Sequence, residues 1–236
     1  MRIFVISAAV YWAIICRFWI YWRRCSWITE NNKDDSIEVT SNSYILDGQE
    51  FVRVTRVLDI ISKPYFYRWY AKHGLEWCNN YRDSRAVFGT RVHKEIQNIL
   101  QDKPYWVDDD EMQDVLQVFK DEFLGIYDIE VLDLEFHLFN QEFGYAGTCD
   151  FLGVVDDKKI VIDWKTSKNV YSNYPLQVSA YLYAYEQMHG VSLDGAAVVC
   201  INDSGIKDKW FSRDECLRLF DFFVSARNLY RYVYGK

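Results

Sequence analysis

Proline is scarce, at three residues in 236, and there is no internal repeat and little low-complexity sequence. That excludes a repeat architecture and leaves a globular chain long enough to bury a sizeable core in one domain. The six cysteines (Cys16, Cys25, Cys78, Cys149, Cys200 and Cys216) contain no C-x-x-C pair and no Cys/His zinc spacing. A zinc module is therefore excluded, and free thiols in a reducing compartment are the default reading. There is no excess of positive charge, the net being −7. No small-residue cleavage site follows the apolar N-terminus, which argues against a secretory signal.

The charge average hides a gradient. Residues 51–100 carry nine Lys or Arg against four acids, a net +5, which leaves −12 for the rest. Within that segment Arg68, Lys72, Arg85 and Arg91 are candidate phosphate contacts. The plain alternative is a solvated helical face. Tyr65, Phe66, Tyr67, Trp69, Tyr70, Trp77 and Tyr81 are interleaved with the basic residues. Most aromatics belong to a core, but an exposed subset beside basic side chains can stack on unpaired bases.

The most informative stretch is Asp163-Trp164-Lys165, at the end of the apolar run from Ile160. It reads as a buried strand, in which Asp163 and Lys165 share one side and Trp164 points away. Gly144 to Gly153 reads as a turn and a strand carrying Asp150, and Asp156-Asp157-Lys158-Lys159 as the tip of the hairpin joining it to the next strand. The hairpin can bring Asp150 beside Asp163, and two carboxylates at one point repel unless a cation lies between them. An edge-strand ion pair is the bland alternative. Gln177 and Tyr181 are four apart on a helix and share a face. His93 lies on an earlier helix. Glu135 lies on an alternating strand with Val131, Asp133, His137 and Phe139, opposite Leu132, Leu134, Phe136 and Leu138.

The order G-x-x-x-H, acidic strand, G-T-x-D, D-W-K-T-S, Q-x-x-x-Y resembles the RecB-type branch of the PD-(D/E)XK nuclease superfamily, over about residues 50–200. Val54 to Leu58, then Lys63-Pro64 and Trp69, look like the start of phage and mitochondrial single-strand exonucleases of that group. The resemblance implies a restriction-endonuclease-like α/β core of helix, three strands, helix and strand, with a small mixed sheet flanked by helices. It implies a metal-dependent DNA nuclease of replication, repair or recombination, leaving a 5′-phosphate and a 3′-hydroxyl. An exonuclease favouring single-stranded ends is expected. The alternatives are a structure-selective endonuclease, or a non-catalytic DNA-binding or assembly module.

In that reading Asp150, Asp163, the Trp164 carbonyl and His93 hold Mg²⁺ or Mn²⁺. Glu135 is a supporting acid or a second-metal ligand, and Asp133 and His137 are easily confused with it. Lys165 positions the attacking water or neutralises the phosphorane, Gln177 and Tyr181 orient Lys165 or the phosphate, and Thr166 and Ser167 contact the backbone. Some relatives of this type carry a four-cysteine iron–sulfur cluster. Here only the widely spaced Cys200 and Cys216 follow the core, so no such cluster is expected. Any unwinding helicase or recombination partner is a separate chain, and an intracellular setting, the cytoplasm or a virus-infected cell, is expected.

Residues 1–27 are nearly all apolar apart from a few arginines. A membrane helix within residues 1–22, a secretory signal, a translated leader before a start nearer Ser36, and a packed amphipathic helix are the readings of this N-terminal helical extension. Residues 31–36 read as the linker, giving segments 1–35 and 36–236. Within the second, the pattern predicts a hairpin at Asp47-Gly48, a short helix capped by Thr55, and helices over 64–72, 85–101 and 109–125. Strands follow over 129–139, 146–155 and 159–165, then a helix over 174–189, a strand over 196–201 and a helix over 212–232.

Overall fold

Two tight turns of the described chain are fixed by local chemistry. Asp47 and Gly48 have φ of 50° and 78°, and Asp156 and Asp157 have φ of 46° and 64°. Two successive left-handed residues suit a two-residue hairpin whose twist matches its strands, and Asp and Gly tolerate that conformation. The computed structural model describes residues 36–61 and 64–235. The expectations for residues 1–35 and for Lys63 lie outside the described residues. From Glu38 onward the chain folds as one unit.

The strands are β1 (Ile37–Val39), β2 (Ser43–Leu46), β3 (Gln49–Arg53), β4 (Ile129–Asn140), β5 (Tyr145–Val155), β6 (Lys158–Lys165), β7 (Gly195–Asn202) and β8 (Gly205–Ser212). The helices are α1 (Val54–Leu58), α2 (Pro64–His73), α3 (Leu75–Leu100), α4 (Asp110–Val118), α5 (Tyr174–His189) and α6 (Arg213–Tyr234). They build a mixed α/β fold on an eight-stranded sheet of order β1-β2-β3-β5-β6-β7-β8, with β4 also paired to β5. The sheet is larger than expected, because β1 and β8 join it. β8 is a charged edge strand whose single buried residue is Phe211, so its sequence carries little apolar signal.

Strict alternation divides the core into two layers. Ile160, Ile162 and Trp164 of β6 and Ala197, Val199 and Ile201 of β7 face α3 and α4. Val161 of β6 and Ala196, Val198 and Cys200 of β7 face α5 and α6. Helices therefore cover both faces of the sheet.

Several element ends differ from the sequence reading. α3 begins at Leu75, ten residues before Arg85, because its first turns carry exposed aromatic and polar residues without an apolar stripe. α1 begins at Val54 behind Arg53, with no side-chain cap, so Thr55 lies inside it. α4 is capped by Asp109, whose side chain accepts from the Met112 N–H. It then widens into a π-helical segment over Phe119–Leu124 before Gly125. This puts Phe119 and Phe123 edge-on against Trp164, at 5.5 Å and 5.0 Å.

Candidate active site and metal centre

The site forms where β5 and β6 part. Their ladder ends at Phe151 opposite Ile162. Beyond it the Trp164 N–H donates to Asp150 Oδ2 at 2.8 Å, so a side chain replaces the backbone partner. On the other edge of β5, the β4 register carries Leu134 opposite Phe151 and Phe136 opposite Cys149, which sets Glu135 across from Asp150. Glu135 has φ of 52°, a left-handed conformation inside a strand. Together with a register shift between Val131 and Asp133, this breaks the expected alternation. Leu134 faces α3 and α4, while Leu132, Phe136 and Leu138 face α5 and α6. Asp133 and His137 are not confused with Glu135 here. Asp133 caps its neighbour's N–H at Leu134, and His137 Nδ1 pairs with the Thr148 hydroxyl at 3.0 Å.

His93 of α3, Glu135 and Asp150 each offer a ligand atom within 4.8 Å of the others. His93 Nδ1 lies 3.5 Å from Asp150 Oδ2. Burial and the Asp150 charge push the Glu135 carboxyl up to about 7. Burial would raise Asp150 too, but His93, Lys165 and the Trp164 amide hold it below its ordinary value. Burial opposes the charged form of His93, yet Asp150 raises it. One half-buried imidazole, one half-buried carboxylate and one buried carboxylate at this spacing fit a hard or borderline divalent cation.

Asp163 stands outside that trio. It is 1% exposed. Its Oδ1 accepts from Gln177 Nε2 at 2.7 Å, and Lys165 Nζ lies 2.5 Å from its Oδ2 as an ion pair. Oδ2 accepts no aligned hydrogen bond. Burial pushes the Asp163 carboxyl up to about 6, with Lys165 pulling against it and Asp150 adding to it. Lys165 and Asp163 share one face and Trp164 the other, as the alternation predicts.

Gln177 and Tyr181 lie behind Asp163, the partner of Lys165. The Gln177 amide donates to both Asp163 and the Tyr181 hydroxyl, the latter at 2.9 Å. Tyr181 is buried among core residues. Both therefore brace Asp163 from behind. The sequence did carry the signal for this arrangement. A Cβ on Gly147 would lie 2.5 Å from the Tyr181 ring, so the glycine of G-T-x-D makes room for the tyrosine of Q-x-x-x-Y.

A cleft of about 770 Å³ opens beside the site. Tyr81, Arg85, Gly89 and His93 of α3, Lys165 to Asn169, Tyr171 and Tyr174 line it. A smaller hollow of about 510 Å³ near Arg227 and Tyr230 lies away from these residues. Thr166 and Ser167 reach the cleft, but the Ser167 hydroxyl donates to the Asn169 carbonyl at 3.0 Å. The basic residues are less free than the sequence implies. Arg85 pairs with Glu111 at 2.7 Å and Arg91 with Asp108 at 2.6 Å, so acids at the start of α4 answer two of the expected phosphate contacts. Arg68 and Lys72 are exposed on α2. Cys78, Cys149, Cys200 and Cys216 are buried free thiols.

No family model matches this chain, and no curated protein matches it. A solved structure described as the crystal structure of SSO0001 is similar to it at 16% identity. The match covers 74% of this chain and 75% of that one, with a TM-score of 0.36. Likeness at that level carries no weight for function.

Proposed function

We propose that this chain is a metal-dependent nuclease with a restriction-endonuclease-like core, related to the RecB-type branch of the PD-(D/E)XK superfamily. The observation that carries this reading is the convergence of His93, Glu135 and Asp150 beside the Asp163–Lys165 pair, at a strand end that opens on a cleft. His93, Glu135 and Asp150 would hold Mg²⁺ or Mn²⁺, with Asp163 and the Trp164 main chain beside them. Such a cation, when bound, polarises a phosphoryl oxygen and acidifies water.

The chain's own groups do the rest. Lys165 presents an ammonium to the cleft, where it orients a nucleophilic water and offsets negative charge growing on the phosphorane. Asp163 keeps that ammonium charged and aimed, and Gln177 fixes the rotamer of Asp163. Thr166 and Lys168, which line the cleft, would meet phosphates along it, and Arg85 would do so only by exchanging Glu111 for a phosphate. The favoured activity is exonucleolytic, on DNA with single-stranded ends, in replication, repair or recombination.

The test is end-labelled single-stranded and duplex DNA incubated with Mg²⁺, Mn²⁺ or EDTA. Cation-dependent shortening that is lost in Lys165→Ala is expected. Intact DNA under every cation condition would sink the reading.

A further inference from the structure

We infer that the N-terminal part of α3, with the end of α2, forms a base-stacking row that feeds an unpaired nucleic-acid strand into the cleft. The inference rests on the nuclease reading and assigns its substrate-approach surface. It starts from an anomaly of burial. α2 is ten residues long, strongly aromatic, and has no buried residue. Tyr65, Tyr67, Trp77 and Tyr81 are each about half exposed or more. Large aromatics left in water on one continuous surface are a mark of a binding face.

The geometry of the rings narrows the partner. His73 stacks on Trp77 at 4.8 Å and 25°, and Trp77 on Tyr81 at 5.3 Å and 9°. Rings this close share their inner faces, and their half-exposed outer faces and edges are what an unpaired base can pack on. The row then runs on into the proposed site. Trp77, Tyr81, Arg85, Gly89 and His93 follow one another at four-residue spacing along α3, so each neighbours the next on the helix surface. The last four of these line the cleft. Tyr171, another lining residue, lies 6.0 Å from Tyr65 of α2 with rings 16° apart, which joins the aromatic surface to the cleft mouth. Arg68, Lys72 and Arg82 stand among the rings, where they complement a polyanion. A duplex hides its base faces in its own stack, so the chemistry selects an unpaired strand.

The row also has a length. Sixteen helical steps separate Trp77 from His93, roughly 24 Å at 1.5 Å per residue. At about 3.4 Å per stacked nucleotide, that span takes about seven nucleotides. A strand of about four nucleotides cannot reach both ends.

The test uses the full chain in EDTA, so that nothing is cut, with fluorescently labelled oligothymidines of about 20 and about 4 nucleotides and a blunt duplex of about 20 pairs. Trp77→Ala and Tyr81→Ala should each weaken binding of the long strand about tenfold, within the range for loss of one base–aromatic stack. Trp77→Phe should restore most of it. Affinity for the duplex should be unchanged, and so should the melting temperature, while the short strand should bind more weakly than the long one to the wild type. Unaltered long-strand binding, an equal loss on the duplex, equal wild-type affinity for the short and long strands, or a loss that tracks unfolding would each overturn the row. Wild-type binding in the expected pattern without any cutting in Mg²⁺ or Mn²⁺ would remove the nuclease reading and leave the row as a binding site. Cutting by the wild type with no effect of either aromatic change would do the reverse.

Discussion

At the scale of single residues, Asp163 and Lys165 define the chemistry. A carboxylate that is 1% exposed costs free energy unless it is paired, and here one ammonium and one amide answer it. Lys165→Ala and Asp163→Ala should each cut turnover by roughly a thousandfold, the scale of losing one transition-state stabiliser. Steady-state cleavage of end-labelled DNA reads this, and turnover near wild type in either variant would overturn the assigned roles. The pH dependence of stability has a definite sign. Without a cation, Glu135 titrates at about 7 and Asp163 at about 6, both above their ordinary values. His93 is raised as well. The folded state therefore holds these protons more tightly than the unfolded chain does. The stability they give is complete at low pH and is lost as pH climbs from the ordinary carboxylate range through about 7. In EDTA the melting temperature should fall between about pH 5 and about pH 8. A rise over that window would contradict the crowding of charges. Asp150, held low, acts oppositely, but only in more acidic solution.

At the scale of elements, the contact between β5 and α5 is the one to disturb. Gly147 of β5 lies under the Tyr181 ring, and Tyr181 is tied through Gln177 to Asp163. Gly147→Ala forces the ring away from the strand, at about 1–3 kcal/mol for overpacking. Activity should fall further than stability alone explains, because the displaced tyrosine loosens the hold on Asp163. Chemical denaturation and turnover measured on the same variant separate the two. If turnover simply follows the folded fraction, Gln177 and Tyr181 are core residues and nothing more. α6 makes a useful contrast. Its start is a capping box, in which the Ser212 side chain accepts from the Glu215 N–H and Glu215 answers the Ser212 N–H. Ser212→Ala should cost about 1 kcal/mol and leave turnover of the folded protein unchanged.

At the scale of the whole molecule, a cation that binds the folded site and not the unfolded chain must stabilise it. Mg²⁺ or Mn²⁺ should raise the melting temperature, more so at about pH 8 than at about pH 6, since proton and cation compete for the same carboxylates. The rise should shrink in His93→Ala and Asp150→Ala, as differential scanning calorimetry would show. A chain beginning at Ser36 keeps every residue assigned to the site and should cleave DNA as the full chain does. Failure of that shorter chain to fold or cleave would make residues 1–35 part of the working molecule. Among the described residues no helix is long and apolar enough to cross a membrane.

The sequence by itself determined what depends on neighbours along the chain. The Asp47-Gly48 and Asp156-Asp157 turns, the apolar strand ending in Asp163-Trp164-Lys165 and the helices over Tyr174–His189 and Arg213–Tyr234 were legible, because turn chemistry and periodicity are local. Sidedness was legible in β6, whose faces are both buried, but not in β4, where a register shift and the left-handed Glu135 break the alternation. Only the tertiary structure decided the rest. β8 owes its existence to pairing with β7, which its own charged sequence does not announce. Glu135 joins His93 and Asp150 through a left-handed turn of backbone that only packing on both sides can hold. The acids that open α4 answer Arg85 and Arg91 across sequence separations of 26 and 17 residues. Gln177 faces Asp163, and the first turns of α3 stay exposed, because the folded sheet sets which helix face has anything to meet. Charge pairing, strain and exposure are properties of surfaces brought together, and periodicity along one chain does not encode which surfaces meet.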